Sequence, residues 1–185
     1  MRRTVLLLTG ITLLGACGEQ TATEPSANVQ ARVSPNTTSS ADVQKDLATL
    51  RRVTAPFHRF QAAVAAGWSA KITACMTSPA GGMGFHYGNP GYIDGSVRVD
   101  QPELLLYEPE KNGDLRLVAV EYIIPYTLHS RDAAPPTLFG QNFRQNDTFQ
   151  LWGLHAWVWQ HNPSGMFADW NPTVTCANTA DVSAM

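Results

Sequence analysis

Residues 103–124 read ELLLYEPEKNGDLRLVAVEYII. Two runs rich in Leu, Val, Ile and Tyr flank Asn112-Gly113. Asn-Gly between alternating apolar positions is the strongest short-range hairpin signal, because both residues tolerate the positive φ of a tight turn. With Asn112 and Gly113 as the loop, Lys111 faces Asp114, Glu108 faces Leu117 and Leu104 faces Glu121. Side chains alternate across a strand. Leu104, Leu106 and Glu108 therefore share a face with Leu117, Ala119 and Glu121.

A third strand is expected over residues 148–160. One face carries Phe149, Leu151, Gly153, His155, Trp157 and Trp159; the other carries Gln150, Trp152, Leu154, Ala156 and Val158. Both faces are largely apolar, which places this strand inside a sheet covered on both sides. Upstream, Val43, Leu47, Leu50, Phe57, Phe60 and Val64 recur at three- and four-residue steps. That period predicts an amphipathic helix over 41–66. Pro56 kinks or splits it, Thr54 caps the second half, and Gly67 stops it. The glycine-rich stretch 68–100, the Pro-rich stretch 126–147 and the tail after residue 160 read as loops. The fold class is α+β: an N-terminal helix packed on a small antiparallel sheet, with long covering loops.

The chain begins with Arg2 and Arg3, an apolar run from Val5 to Leu14, and then Leu14-Gly15-Ala16-Cys17. A basic start, a short apolar core and small residues before a cleavage point make a secretory signal. A spanning helix needs about 20 apolar residues, more than this run offers. Leucine, two small residues and cysteine resemble the bacterial lipoprotein signal. That resemblance implies cleavage after residue 16 and acylation of Cys17, with the membrane as a partner through the lipid. The expected layout is a signal at 1–16, a polar tether at 17–40 and a globular α+β domain at 41–185. Gly18 after the acylated cysteine is no strong retention signal, which favours the outer membrane.

Three cysteines occur. With Cys17 assigned to lipid, Cys75 and Cys176 remain in an oxidising compartment, where a disulfide is the default. The competing reading is a pair of metal thiolates, although neither sits in a Cys-x-x-Cys pair. The formal net charge is −2, and the signal would remove two arginines with it. Nothing supplies the clustered basic surface of a nucleic-acid partner.

No P-loop, nucleophile elbow, zincin helix, haem attachment or dinucleotide fingerprint is present. What remains is a constellation set by strand faces. Glu121 lies among Leu115, Leu117, Ala119 and Ile123, where a carboxylate is paired, metal-bound or raised in pKa. His155 sits between Gly153 and Trp157 on an equally apolar face, and glycine leaves open space beside it. His86 follows the glycine-rich run 81–84. If the faces coincide, His86, Glu121 and His155 form a metal site for zinc, copper or iron. The competing reading makes the histidines hydrogen-bonded core residues. His161 is ~20 Å from His155 along a continuous strand and does not share an ion with it unless the strand ends between them. His58 and His129 are read as surface residues. Met76, Met83 and Met166 either supply copper(I) thioethers or fill an irregular core. Trp152, Trp157, Trp159, Trp170 and Phe167 line a core or a ligand cleft.

The stretches 82–87, 117–122 and 154–159, with Gly165-Met166-Phe167 and Trp170-Asn171-Pro172, look like a group of uncharacterised bacterial secreted proteins. That resemblance implies a shared fold over most of 41–178 and no particular activity. The order of helix then strands also fits a cone-like pocket of the NTF2-like kind, by analogy alone. Two functions follow as expectations. One is an envelope lipoprotein whose His/Glu site binds a metal or small ligand; a catalytic version would use Glu121 as ligand or base. The other is a non-catalytic module that meets an envelope protein or glycan through an aromatic surface.

Overall fold

The expected hairpin forms, and its register carries the rest of the sheet. The computed structural model describes residues 38–179. The leader, Cys17 and nearly all of the proposed tether lie outside the described residues. In chain order the elements are helix α1 (Ser40–Thr54), a 3-10 turn (Ala55–His58), helix α2 (Phe60–Ala65), and strands β1 (Ala70–Lys71), β2 (Met76–Ser78), β3 (Gly81–Gly88), β4 (Leu104–Pro109), β5 (Leu115–Pro125), β6 (Thr137–Leu138), β7 (Gln141–Asn142), β8 (Arg144–Asn146) and β9 (Leu151–Ala156). Seven strands make one antiparallel sheet along the path β1-β3-β4-β5-β9-β8, with β2 also paired to β3; β6 and β7 form a separate ribbon. The fold is mixed α+β with antiparallel strands, as expected. The main sheet is larger than the small one expected.

The helical region splits where Pro56 requires it. Ser39 caps α1 by accepting from the Asp42 N–H at 3.1 Å. Thr54 does not cap the second segment. Its hydroxyl donates to the Leu50 carbonyl at 2.8 Å and accepts from the Trp159 indole at 3.0 Å, which docks the helix end on the C-terminal segment. Leu47, Leu50 and Ala63 bury against Phe85, Tyr107, Tyr122 and Leu154 on one face of the sheet. The opposite face gathers Met83, Leu104, Leu106, Ala119, Ile123 and Trp157, with Val174 of the tail laid over them.

The hairpin register is right at one end and shifted at the other. Leu104 faces Glu121 and Leu106 faces Ala119, but Glu108 faces Arg116 instead of Leu117. Glu110 N donates to Asp114 O, so the loop is the three residues 111–113, with Gly113 at φ 86°. A bulge then absorbs the extra residue between Leu106 and Tyr107. Val118 and Ala119 both join the tail-covered core, whereas Leu117 turns to the helix side. A bulge sets two residues against one, and here it restores the pairing before Glu121 is reached.

The stretch expected as a glycine-rich loop is instead the inner strand β3. Its glycines serve close approach. Gly82 exchanges two backbone hydrogen bonds with Asn171, at 3.0 and 3.1 Å, and a Cβ there would stand 2.6 Å from the Val174 carbonyl oxygen. The tail crosses the strand at that point, and only glycine admits it. The aromatic strand is also shorter than expected, at 151–156, and lies between β5 and β8. Cys75 and Cys176 are disulfide-bonded across a separation of 101 residues. A link closing a loop of that size removes unfolded-state entropy worth up to ~4.7 kcal/mol. Among the described residues no helix is long and apolar enough to cross a membrane.

Glu103 is buried just before β4, and its carboxylate accepts the Ile123 N–H at 3.1 Å. Burial pushes its carboxyl up from 4.5 to about 8. As pH rises, the unfolded chain releases this proton first, so the stability present below pH 4.5 is lost progressively up to about 8. Glu103→Gln keeps the acceptor and removes the titration. Its stability relative to the native protein should rise by roughly 2–4 kcal/mol between acidic and alkaline pH, at about 1.4 kcal/mol per pKa unit. Denaturant midpoints across that range measure it; a difference independent of pH would show that Glu103 is ionised in the fold.

Candidate metal centre

Three strands aim His86, Glu121 and His155 at one point on the tail-covered face. Glu121 of β5 and His155 of β9 are direct cross-strand partners. His86 of β3 faces Leu106, which in turn faces Ala119, two residues from Glu121. The expected coincidence of faces therefore holds. All three side chains are buried, and one ligand atom from each lies within 4.8 Å of the others. His86 Nε2 is 3.5 Å from Glu121 Oε2, and His155 Nε2 is 3.8 Å from Glu121 Oε1. Among the described residues no other group of three such side chains converges.

These separations are too long for strong hydrogen bonds. They are close to what a shared ion requires: ligand bonds of about 2.0–2.1 Å at tetrahedral angles put donor atoms ~3.3 Å apart. His155 Nε2 is the one buried side-chain nitrogen or oxygen without a hydrogen-bond partner among the described residues. Such a group costs about 1–3 kcal/mol if nothing meets it.

Each imidazole is braced on its far side. Thr73 Oγ1 lies 2.8 Å from His86 Nδ1. With Nδ1 donating to that hydroxyl, Nε2 keeps its lone pair toward Glu121. Asp169 Oδ1 lies 3.8 Å from His155 Nδ1, and Arg144 donates to the same carboxylate oxygen at 2.6 Å. Carboxylates behind ligating histidines orient the ring and raise its basicity. The His155 ring also stacks on Trp157, 6.2 Å between centroids, and the Trp157 indole donates to Ala168 O at 2.6 Å beside Asp169.

Burial dominates the electrostatics. It pushes His86 down to about 3, helped by the neighbouring His155, so His86 is neutral. Burial raises the Glu121 carboxyl against the pull of His155. His155 is driven down by burial, yet the Glu121 and Asp169 carboxylates bring it above its ordinary value. Contact with His155 and Arg144 holds Asp169 below the usual carboxylate range.

A cleft of about 300 Å³ opens onto the three residues, walled by Met76, Met83, Leu104, Ile123, Leu151 and Trp170. A recess of about 140 Å³ shares Glu121 and His155 and adds Arg144 and Asp169. The larger hollow of about 750 Å³ at α2 and the β4–β5 turn holds His58, Arg59 and Arg116 but no such cluster. Volume alone therefore does not locate the chemistry.

The remaining sequence candidates disperse. His58 packs edge-on against Trp159, and half-buried His129 packs against Trp152 with Nε2 on Ala134 O. His161 is exposed. Met76 and Met83 wall the cleft, but Met166 packs on the opposite, helix-side core, so the three thioethers do not converge. Trp152 and Trp157 are core residues with bonded indoles; of the aromatic cluster, Trp170 faces the cleft. Cys75 and Cys176 are bonded to each other, which removes them as metal thiolates. Sequence reasoning missed Thr73, Arg144 and Asp169. They lie in polar loop or edge segments, and no periodicity marks them. No family model, curated protein or solved structure matches this chain.

Gly153 faces Ile123, and a Cβ there would stand 2.9 Å from Glu121 Oε1. The open space expected beside His155 is thus filled by the carboxylate. Alanine in a strand ordinarily improves on glycine. Here Gly153→Ala should cost about 1–3 kcal/mol through overpacking. Much of that loss should vanish when Glu121→Ala is combined with it, as a double-mutant cycle by denaturation would show. A neutral Gly153→Ala would mean that Glu121 does not lie over this glycine.

Proposed function

We propose that this protein is a lipid-anchored lipoprotein of the bacterial cell envelope whose domain holds one divalent transition-metal ion at the floor of a small-ligand cleft. His86 Nε2, His155 Nε2 and the Glu121 carboxylate are the ligands. The observation that carries the reading is His155 Nε2, buried and without a partner, beside a carboxylate and a second imidazole at ligand spacing. Two imidazoles and one carboxylate suit zinc, iron or copper. Three protein ligands leave positions for an exogenous group, which the cleft can deliver. The aromatic-surface alternative draws little support, since Trp152 and Trp157 are in the core. Attachment through Cys17 rests on the leader motif.

Metal content measured by mass spectrometry decides the reading. The full-length protein, untagged and in detergent, is dialysed against trace zinc, copper and iron. About one equivalent should be retained, as for a single site with three protein ligands. His86→Ala and His155→Ala should lose it while keeping the native far-ultraviolet dichroism. Asp169→Asn should keep the site but weaken it about 10–100-fold, as outer-shell changes do. Folded protein that retains no metal overturns the proposal.

Anchoring is checked separately. Acyl chains bind a bilayer at about 0.8 kcal/mol per buried methylene. Cys17→Ser should therefore move the protein from the membrane pellet to the soluble extract on cell fractionation. Undiminished recovery in the pellet would refute the lipid anchor.

A further inference from the structure

The walls of the cleft are mostly apolar. Met83, Leu104, Ile123, Leu151 and Trp170 are apolar. Ile72 and Phe149 stand at its mouth, 46% and 45% exposed, two of the three large exposed apolar side chains among the described residues. Isolated exposed apolar residues are ordinary, but two on the lining of one concavity indicate an apolar occupant. Of the three polar wall residues, Thr73 pairs with His86, Asn146 Oδ1 accepts the Phe149 N–H, and Thr148 completes the set. The charged groups, and with them the strongest polar anchor for an occupant, lie at the floor.

Charge defines that anchor. A divalent ion held by two neutral imidazoles and one carboxylate keeps one net positive charge in a buried site. Asp169 does not cancel it, because Arg144 already pairs with that carboxylate. An uncompensated charge among apolar walls is costly, and one monoanionic oxygen donor removes the cost.

We infer that the ligand of this cleft is a small apolar monocarboxylate, aromatic or short-chain aliphatic. Its carboxylate takes the open side of the ion, and its apolar body lies against Ile123, Leu151, Trp170 and Phe149. This inference rests on the metal reading above. A volume of about 300 Å³ is at the small end of ligand sites, which run ~300–1,000 Å³, so the body is limited to about one ring or a short chain.

The test is calorimetry on the full-length protein in detergent, its zinc content measured first, with blank micelles subtracted. Acetate, hexanoate, benzoate and hexanol are titrated in turn. On zinc-loaded protein, hexanoate or benzoate should bind at least about tenfold tighter than acetate, through added apolar burial. The tighter of the two assigns the body as aliphatic or aromatic. Hexanol should bind at least about tenfold more weakly than hexanoate, since it brings no charge. Ile72→Glu and Phe149→Glu, both at exposed positions, should bring hexanoate down toward acetate with zinc content unchanged. Zinc-loaded protein that binds acetate as tightly as hexanoate and benzoate overturns the inference alone, and so does equal hexanoate binding after zinc is stripped. Failure to retain zinc overturns the metal reading beneath it.

Discussion

A carboxylate buried in the apolar layer of a sheet is the constraint around which this structure is arranged. Glu121 sits on β5, which pairs with β4 on one side and β9 on the other. Leaving it ionised and alone there would cost several kcal/mol. The fold places His155 directly across from it and His86 one strand further away. It also removes the side chain at residue 153 so that the carboxylate fits. A one-residue slip of β9 would turn His155 to the helix face and leave Glu121 without its partner. The chemistry and the strand register are therefore the same specification.

Much of that specification is legible in the sequence. Asn112-Gly113 marks the hairpin, and alternation assigns Glu121 and His155 to compatible faces. The pairing of Leu104 with Glu121 follows even though the assumed turn is one residue too short. Two deviations cancel: a three-residue loop shifts the register, and the bulge at Val118 shifts it back. Sequence patterning cannot see such a pair, because Val118 and Ala119 are both apolar and either fits a core. Glu108, between loop and bulge, is where the shift shows. It faces Arg116, which forms an ion pair with it, and accepts the Thr175 N–H at 2.8 Å.

The glycines of β3 carry no strand signal. Gly81-Gly82-Met83-Gly84 has the composition of a turn, and intrinsic strand propensity argues against a strand. Tertiary packing overrides propensity, since the tail must lie directly on that backbone. Asn171 bridges Gly82, Val174 packs on the sheet and Cys176 is bonded to Cys75. The same tail carries Asp169 and Trp170 to the site. Its path depends on contacts across about half the chain, so Asp169 had no local signal. The disulfide thus fixes the course of the segment that braces His155 as well as contributing stability.

The two faces of the sheet also differ in a way that separates a site from a core with histidines in it. On the helix side, ring packs on ring, and the polar atoms of Tyr107 and Tyr122 each reach a backbone carbonyl, Phe57 O and Val99 O. Trp68 and Trp152 do the same. These four buried polar atoms are each met by a main-chain carbonyl, and buried polar groups generally have a partner of some kind. His155 as a core residue of that kind would have a hydrogen-bond partner at Nε2. Instead Nε2 points at a carboxylate too distant to bond and at a cleft with apolar walls. His86 repeats the arrangement, braced by Thr73 at Nδ1 and directed to the same carboxylate at Nε2. Two imidazoles supported from behind, with their other nitrogens each directed at one oxygen of the same carboxylate, are the arrangement on which the proposed cation reading rests. Core packing alone gives no reason for that symmetry.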